Sequence, residues 1–65
     1  MQIQVNGELR EVFSATLDAL LCELEYNDAA VATALNQTFV RRRDRSATKL
    51  KEGDAVEVLV PRQGG

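Results

Sequence analysis

The chain has 65 residues, of which 45% are hydrophobic and 28% charged, with a formal net charge of −2. A chain of this length is expected to form one small globular domain with little room for an internal catalytic cleft, and its acidic balance does not favour nucleic acid as a partner. The single cysteine excludes an internal disulfide, and the absence of histidine removes the commonest metal ligand and general base. Without a long apolar run or a signal-peptide pattern, we expect no membrane association and a cytoplasmic location.

The N-terminal segment MQIQVNGELREVF predicts a β-hairpin. MQIQV alternates polar and apolar side chains, which is the period of a strand with one buried face. Asn6 and Gly7 follow it, and both residue types tolerate the positive φ of a tight hairpin turn. A second strand, from about Glu8 to Phe13, should therefore pair antiparallel with the first.

This hairpin has two possible registers. A two-residue turn sets Val12 beside Met1, whereas a three-residue turn with a bulge sets Leu9 against Val5 and Phe13 against Met1. We favour the bulged register.

The apolar period changes after the hairpin and predicts a helix from about Leu17 to Tyr26. Four leucines recur at the spacing of one helical face: Leu17, Leu20, Leu21 and Leu24. Thr16 is the predicted N-cap, and Asp18 lies in the first turn, where its charge interacts favourably with the helix dipole. Asn27 is the expected end, because asparagine accepts the left-handed conformation. A helix this short needs to pack its leucines on a sheet.

The second half of the chain predicts three further strands. AVATALNQTFV indicates two short strands around a turn at Asn36 and Gln37. RRRDRSATKLK has no sustained apolar period and indicates a surface loop or a single helical turn anchored by Leu50. After a turn at residues 52–54, AVEVLV alternates as a last strand. Its two faces carry Val56, Val58 and Val60 on one side and Glu57 and Leu59 on the other.

The predicted order is β-β-α-β-β, with the helix crossing between the N-terminal hairpin and a C-terminal strand of one mixed sheet. A helix packed across one face of a sheet is an α+β architecture. Since the helix provides the crossover that parallel pairing requires, the first and last strands can lie side by side, as in a β-grasp. We place the domain at residues 1–60 and a flexible C-terminal tail at residues 61–65.

The sequence ends in PRQGG, which suggests an exposed arm. Pro61 cannot donate to a strand ladder, so it marks the end of pairing. Without Cβ atoms, Gly64 and Gly65 can enter a channel too narrow for other residues and bring the terminal carboxylate to a reactive group. A carboxylate needs activation, usually by transfer of AMP from ATP, and since nothing in the sequence resembles a nucleotide site, a partner must supply that step. The alternative is a frayed end without function.

Several segments, in this order, resemble one family. They are MQIQVNGE at the start, TLDALL at the helix, ALNQTFV in the middle, EGDAVEVL before the tail and GG at the end. Over nearly its whole length the chain resembles the bacterial sulfur carrier proteins of thiamine biosynthesis, which have the ubiquitin-like β-grasp fold. Each segment alone is a weak signal, but their order and spacing together are specific.

The resemblance implies a function for the tail. A ubiquitin-activating-like enzyme would adenylate the Gly65 carboxylate with ATP and magnesium, and sulfur from a persulfide protein would convert it to a thiocarboxylate. The carrier would then dock on thiazole synthase and give its sulfur to the thiazole ring of thiamine. Gly64 would permit passage into both partner active sites. The chain itself would bind no cofactor or metal and would not be an enzyme.

Some positions depart from the usual pattern of this family. Gln37 stands where glycine is most common, which suggests a different or more strained turn. Arg41 stands where proline is common, and Arg45 lies where an aromatic residue is often found. Arg62 and Gln63 replace small or apolar residues in the arm that partners grip, so they bear on the identity of the partner.

The charged and reactive side chains have a structural interpretation. The basic cluster Arg41, Arg42, Arg43 and Arg45 is interpreted as a solvated loop partly neutralised by Asp44, with docking on an acidic partner as the alternative.

Cys22, one position from the leucine stripe, is interpreted as a packed structural residue, with a covalent link to a partner as the alternative. No pair of glutamates is placed in a pocket for acid/base chemistry, and solvated surface is expected at Glu8, Glu11, Glu23 and Glu25.

Exposed apolar residues on the sheet face away from the helix would form the docking surface. Leu59 is the first candidate, and Phe39 and Val40 are further candidates. Arg62 and Gln63 are candidate contacts within the arm.

Two other functions stay open at the level of sequence. The small subunit of molybdopterin synthase shares the fold and the Gly-Gly end but is usually longer. A ubiquitin-like interaction module would use the tail without this chemistry, or would be joined through it to lysines. Deleting Gly65 separates carriers, which would lose all sulfur transfer, from a module, which would keep its partner.

Overall fold

The computed structural model describes residues 1–61, which form five strands, one α-helix and one 3₁₀ helix. The strands are β1 (Gln2–Val5), β2 (Glu8–Glu11), β3 (Ala32–Leu35), β4 (Thr38–Val40) and β5 (Ala55–Leu59). The helix α1 spans Leu17–Glu23, between β2 and β3. The 3₁₀ helix spans Arg42–Ala47, between β4 and β5.

The strands of residues 1–61 form one mixed sheet in the order β2-β1-β5-β3-β4. β1 and β5 are parallel, and the other neighbouring strands are antiparallel. A parallel pair needs a long crossover, which the chain between β1 and β5 provides, with α1 packed on one face of the sheet. The predicted α+β, β-grasp architecture is confirmed. The sheet has one strand more than the predicted β-β-α-β-β order, which counts only one of the two short strands that the sequence indicates around Asn36; both pair within the sheet.

The core lies between α1 and one face of the sheet. Alternate strand residues supply one side of it, as the period of two requires, and the leucines of α1 supply the other. The buried apolar side chains are Ile3, Val5, Val12, Leu17, Leu20, Leu21, Leu50, Val56 and Val58. Leu24 is partly buried against them, so the predicted four-leucine face of the helix is confirmed. Within residues 1–61, no helix packs on the opposite face of the sheet.

The first hairpin has the two-residue turn, so the bulged register that we favoured is wrong. Gln4 pairs with Leu9, and the Val12 N–H donates to the Met1 carbonyl over 2.8 Å. Val12 is therefore fully buried, whereas Phe13 is 89% exposed.

The backbone of the turn explains this register. Asn6 and Gly7 have φ angles of 52° and 83°, so both central residues are left-handed, as a type I′ turn requires. That turn matches the right-handed twist of the flanking strands without a bulge, and it makes β2 end at Glu11 rather than at Phe13.

The start of α1 is as predicted. The Thr16 hydroxyl accepts a hydrogen bond from the Ala19 N–H at 3.2 Å, which satisfies one of the unpaired donors of the first turn. Asp18 adds a negative charge in the same turn, where the helix dipole favours it.

The end of α1 differs from the prediction. The helix ends at Glu23 rather than Tyr26, and the left-handed residue that closes it is Glu25, with φ of 64°, rather than Asn27. The Tyr26 N–H reaches back to the Leu21 carbonyl over 2.9 Å, which is the long hydrogen bond of a Schellman motif. Tyr26 is also partly buried against the core, and this apolar contact stabilises the early stop.

The turn between β3 and β4 lies at Asn36 and Gln37, as predicted. Their φ angles are 50° and 71°, so this turn has the same left-handed pair as the first hairpin. Gln37 holds that conformation with a Cβ atom, which costs about 1 kcal/mol relative to glycine. The sequence predicted a different or more strained turn here, and the positive φ of Gln37 is the source of that strain.

We expect Gln37→Gly to raise the free energy of unfolding by about 0.5 kcal/mol, because the relief of backbone strain exceeds the extra entropy of the unfolded chain. Urea unfolding followed by circular dichroism measures the change. The matched control is Asn36→Gly at the same turn, which should destabilise the chain, since the Asn36 side chain binds the start of β5. A destabilising Gln37→Gly would show that the turn is unstrained.

Two asparagine side chains from the hairpin turns hold β5. The Oδ1 of Asn6 accepts from the Val58 N–H at 2.8 Å, and its Nδ2 donates to the Val58 carbonyl at 3.2 Å. Near the other end of the strand, the Oδ1 of Asn36 accepts from the Ala55 N–H at 2.9 Å, and its Nδ2 donates to buried Asp54 at 3.1 Å. β5 is thus fixed by side chains as well as by its two neighbouring strands.

Candidate functional site

β5 is followed by residues 61–65, which the sequence predicts to form an exposed arm. Strand pairing ends at Leu59, and Val60 and Pro61 are exposed. The predicted roles of the arm fall on positions outside the described residues: Arg62, Gln63, Gly64 and Gly65. They stay predictions, as does the division of the chain into a domain and a tail.

The sheet face away from α1 carries an exposed apolar patch. Phe39 and Leu59 are 66% and 68% exposed, respectively, and both lie on this face. Ala32 pairs with Leu59 and Ala34 pairs with Phe39, so two small side chains lie between two large ones. The result is a groove of about 390 Å³. The structure therefore brings together Phe39 and Leu59, two of the three predicted docking residues among those described.

Val40 does not share this face. It is partly buried against the core on the helix side of the sheet. Because neighbouring strand residues point to opposite faces, Phe39 and Val40 cannot both line the same surface. The groove floor was missed at the level of sequence, although the alternation of small residues in the strand ATAL was the signal for it.

Arg45 is not part of a solvated basic loop, and that part of the prediction is wrong. The residue is only 2% exposed and lies on the 3₁₀ helix. Its guanidinium donates to the Thr33 hydroxyl at 3.1 Å, to the Asp28 carbonyl at 2.7 Å and to the Val31 carbonyl at 2.8 Å. Arg45 therefore ties the segment between α1 and β3 to the sheet.

The other arginines of the cluster are exposed, as predicted. Arg41 forms an ion pair with Asp44 at 3.1 Å, so the partial neutralisation of the cluster by this aspartate is confirmed. Arg42 approaches Asp28 at 3.6 Å, which was not predicted. Such exposed pairs contribute little to stability, because water and salt screen them.

Cys22 is exposed rather than packed, which contradicts its interpretation as a structural residue of the helix face. Each residue turns the helix by about 100°, so the position after Leu21 already points away from the sheet. Cys22 lies beside a shallow depression of about 260 Å³ that Asp18, Tyr26 and Asp28 also line.

Glu23 has a structural role rather than an acid/base role. Its carboxylate accepts hydrogen bonds from the Ser14 hydroxyl and from the N–H groups of Phe13 and Ser14, at 3.1 and 3.0 Å for the two N–H donors. These bonds, the Ser14 hydroxyl first among them, lower the pKa of Glu23 below its ordinary value. An ionised Glu23 thus fixes the segment between β2 and α1 at neutral pH.

We expect Glu23→Gln to lower the thermal midpoint at neutral pH and to have a shrinking effect as the solution is acidified. Because the folded-state pKa is depressed, the stabilisation is present above the ordinary value of 4.5 and is lost as pH falls through the folded-state pKa. Thermal melts of both chains between about pH 7 and pH 3 measure this. Glu25→Gln is the matched control, and an equal, pH-independent effect of both variants would contradict the assignment.

Within residues 1–61, no helix is long and apolar enough to cross a membrane. The same residues contain no group of three or more metal-ligating side chains close enough to hold an ion. The candidate functional site is the groove on the sheet face away from α1, beside the central strand β5.

Comparisons with known proteins identify the family. The sequence model of the ThiS family matches residues 3–65. This chain belongs to the ThiS family. Membership confirms the resemblance found in the sequence, to the bacterial sulfur carrier proteins of thiamine biosynthesis. A search of curated proteins gave no match.

Two solved structures related to the ThiS family are similar to the chain. One is the crystal structure of the thiamine biosynthesis protein (ThiS) from Geobacter metallireducens, with a TM-score of 0.84 and 36% sequence identity over 100% of both chains. The other is the NMR solution structure of a thiamine biosynthesis protein from the same organism, with a TM-score of 0.82 and 36% identity. That match covers 100% of this chain and 88% of the other.

Proposed function

We propose that this chain is the sulfur carrier of a thiamine biosynthesis pathway and that it carries sulfur as a thiocarboxylate on Gly65. The observation that carries the proposal is the family match, which runs through both glycines to residue 65. The full-length similarity to a thiamine biosynthesis protein at 36% identity favours this pathway over that of molybdopterin.

The chemistry requires a partner at each step. A ubiquitin-activating-like enzyme binds ATP and Mg²⁺, and a Gly65 carboxylate oxygen attacks the α-phosphorus, which releases pyrophosphate and leaves an acyl adenylate. The terminal sulfur of a persulfide protein then attacks the acyl carbon and displaces AMP. A thiol then attacks the cysteine sulfur of the donor protein in the resulting acyl disulfide, which breaks the S–S bond, forms a disulfide with the donor and releases the thiocarboxylate. Thiazole synthase accepts that sulfur, and the chain acts as a carrier rather than as an enzyme.

The described fold supports this role. β5 lies in the middle of the sheet, between β1 and β3, and leads into the arm from a fixed position. The apolar patch of Phe39 and Leu59 lies on a face that no described helix covers and offers a docking surface for the adenylating enzyme. Gly64, without a Cβ, admits the arm to a narrow active site, and Arg62 and Gln63 are the arm residues that a partner would grip.

The proposal is tested by incubating the chain with ATP, Mg²⁺, a cysteine-derived persulfide source and a purified candidate adenylating enzyme. Intact-mass and fragmentation analysis should show exchange of one oxygen for sulfur at Gly65. Fragmentation is essential, because oxidation of Met1 or Cys22 changes the mass by nearly the same amount. An unmodified Gly65 with several such enzymes would favour an interaction module instead.

A further inference from the structure

The groove on the outer face of the sheet has apolar walls and one charged side chain. Ala34 is the partner of both Phe39 in β4 and Glu57 in β5, so these two side chains flank it on either side. Neighbouring strands lie about 4.8 Å apart, which separates the backbones of Phe39 and Glu57 by roughly 10 Å. Leu59 stands next to Glu57 on the same face and forms the end of this space, whose volume is about 390 Å³.

Glu57 is the one ionisable group in this groove, and no ion pair or hydrogen bond to its carboxylate is formed within residues 1–61. The strand positions that share its face carry glutamate, glutamine and apolar side chains and no lysine or arginine: Gln2, Gln4, Leu9, Glu11, Ala32, Ala34, Phe39, Ala55, Glu57 and Leu59. Glu11 is already paired with the N-terminal ammonium at 2.9 Å, and Arg41, which follows β4, is paired with Asp44. Among the strand residues of this face within residues 1–61, Glu57 is therefore the carboxylate left to pair with a cation from a partner.

A purely apolar partner would strip water from Glu57 without replacing its hydrogen bonds, which is unfavourable. A long cationic side chain fits both parts of the groove. Its alkyl stem can pack on the alanine floor between the Phe39 ring and Leu59, while its charged head reaches the carboxylate. The Phe39 ring also attracts a cation that lies over its face.

Resting on the proposed function, we propose that this groove binds an arginine or lysine side chain of the adenylating partner, with Glu57 as the residue that selects for its positive charge. Docking on this face then depends on charge as well as on apolar contact. Phe39 and Leu59 supply contact area, and Glu57 supplies the preference for a cationic partner surface.

The test uses the full chain and the adenylating enzyme that loads the wild type with sulfur. Affinity is measured by calorimetry, and KM and kcat are measured from pyrophosphate release. We expect Glu57→Gln to weaken binding and raise KM about tenfold with kcat unchanged, because it removes a docking contact and leaves the reacting carboxylate in place. Wild-type affinity should also fall more steeply with added salt than that of Glu57→Gln.

Ala34→Leu tests the shape of the groove separately from its charge. The variant fills the floor of the groove and adds apolar surface. It should weaken binding about tenfold if a partner side chain inserts into the groove, and it should strengthen binding if the partner only contacts the apolar surface. Two variants away from the groove are matched controls: Glu8→Gln, which makes the same charge change, and Ala19→Leu, which adds the same side chain to the exposed side of α1. Both should bind as the wild type does.

The outcomes separate this proposal from the proposed function. If Leu59→Arg weakens binding while Glu57→Gln and Ala34→Leu bind as the wild type does, the docking face stands and the cation in the groove is ruled out. If the enzymes tested leave the wild-type chain unloaded at Gly65, the carrier function is overturned and this proposal with it. Thermal midpoints equal to that of the wild type show that each variant is folded, so that differences in affinity reflect the groove and not unfolding.

Discussion

Deletion of Gly65 is expected to abolish sulfur loading while leaving the binding of the adenylating enzyme in place. The shortened chain still ends in a glycine carboxylate, but that carboxylate stops about 3.5 Å short of the reacting phosphorus. A misplacement of 1 Å can already cost about 100-fold in rate, so the loss should be complete on the scale of the assay. Intact-mass analysis measures loading, and calorimetry measures binding.

Gly64→Ala is the companion variant, because it keeps the length of the arm and adds only one methyl group. We expect it to slow loading and to leave the folded domain unchanged, since the effect arises in the narrow channel of the partner. If the chain that lacks Gly65 is loaded with sulfur at its new terminal glycine as fast as the wild type is, the carboxylate does not need a defined position. Loss of binding together with loading would instead make the tail a docking element.

Arg45→Met is expected to be the most destabilising single substitution outside the apolar core. The guanidinium makes three hydrogen bonds to the uncharged groups of Thr33, Asp28 and Val31. Methionine keeps much of the side-chain volume but leaves those acceptors without their donors, at a cost of about 3 kcal/mol. Since a domain of this size has only about 3–5 kcal/mol of stability, we expect a large unfolded fraction even without denaturant.

Urea unfolding of the Arg45→Met chain measures this loss. Arg43→Met is the matched control, because Arg43 is exposed on the same 3₁₀ helix and the substitution makes the same change in charge and volume. It should change the free energy of unfolding by less than about 0.5 kcal/mol. Equal stability of the two variants would mean that water satisfies the Asp28 and Val31 carbonyls once Arg45 is gone.

The parts of the fold that local pattern determines were predictable from the sequence. The leucine spacing of α1, the Thr16 cap and the alternation in β1 and β5 each depend on residues close together in the chain, and the structure contains all of them. The parallel pairing of β1 with β5 followed from the helix between them, because only a crossover of that length allows it.

The predictions that were wrong concern features that depend on contacts between residues distant in the chain or on backbone dihedral angles. Arg45 looks like its neighbours in RRRDRSATKLK, and its burial depends on Thr33, Asp28 and Val31, which lie 12, 17 and 14 residues away. The register of the first hairpin depends on turn dihedrals, and either register leaves an apolar residue to cover the core, so composition could not choose between them. Cys22 differs from buried Leu21 only by one step around the helix.

For the candidate site, the sequence indicated Leu59 and Phe39 but not the space between them. A groove depends on which small residues stand opposite which large ones, and this requires the register of three strands. Once Ala34 is known to pair with both Phe39 and Glu57, the floor and the two walls follow.

The central position of β5 also determines how the domain bears a mechanical load. A partner that draws the arm into its active site pulls β5 along its own axis, against β1 on one side and β3 on the other. The ladder bonds to both neighbours, and the side-chain bonds of Asn6 to Val58, are then sheared together rather than opened one after another as at a sheet edge. A pull on the C-terminal end of β5 is therefore resisted by more hydrogen bonds at once than a pull on a strand at the sheet edge.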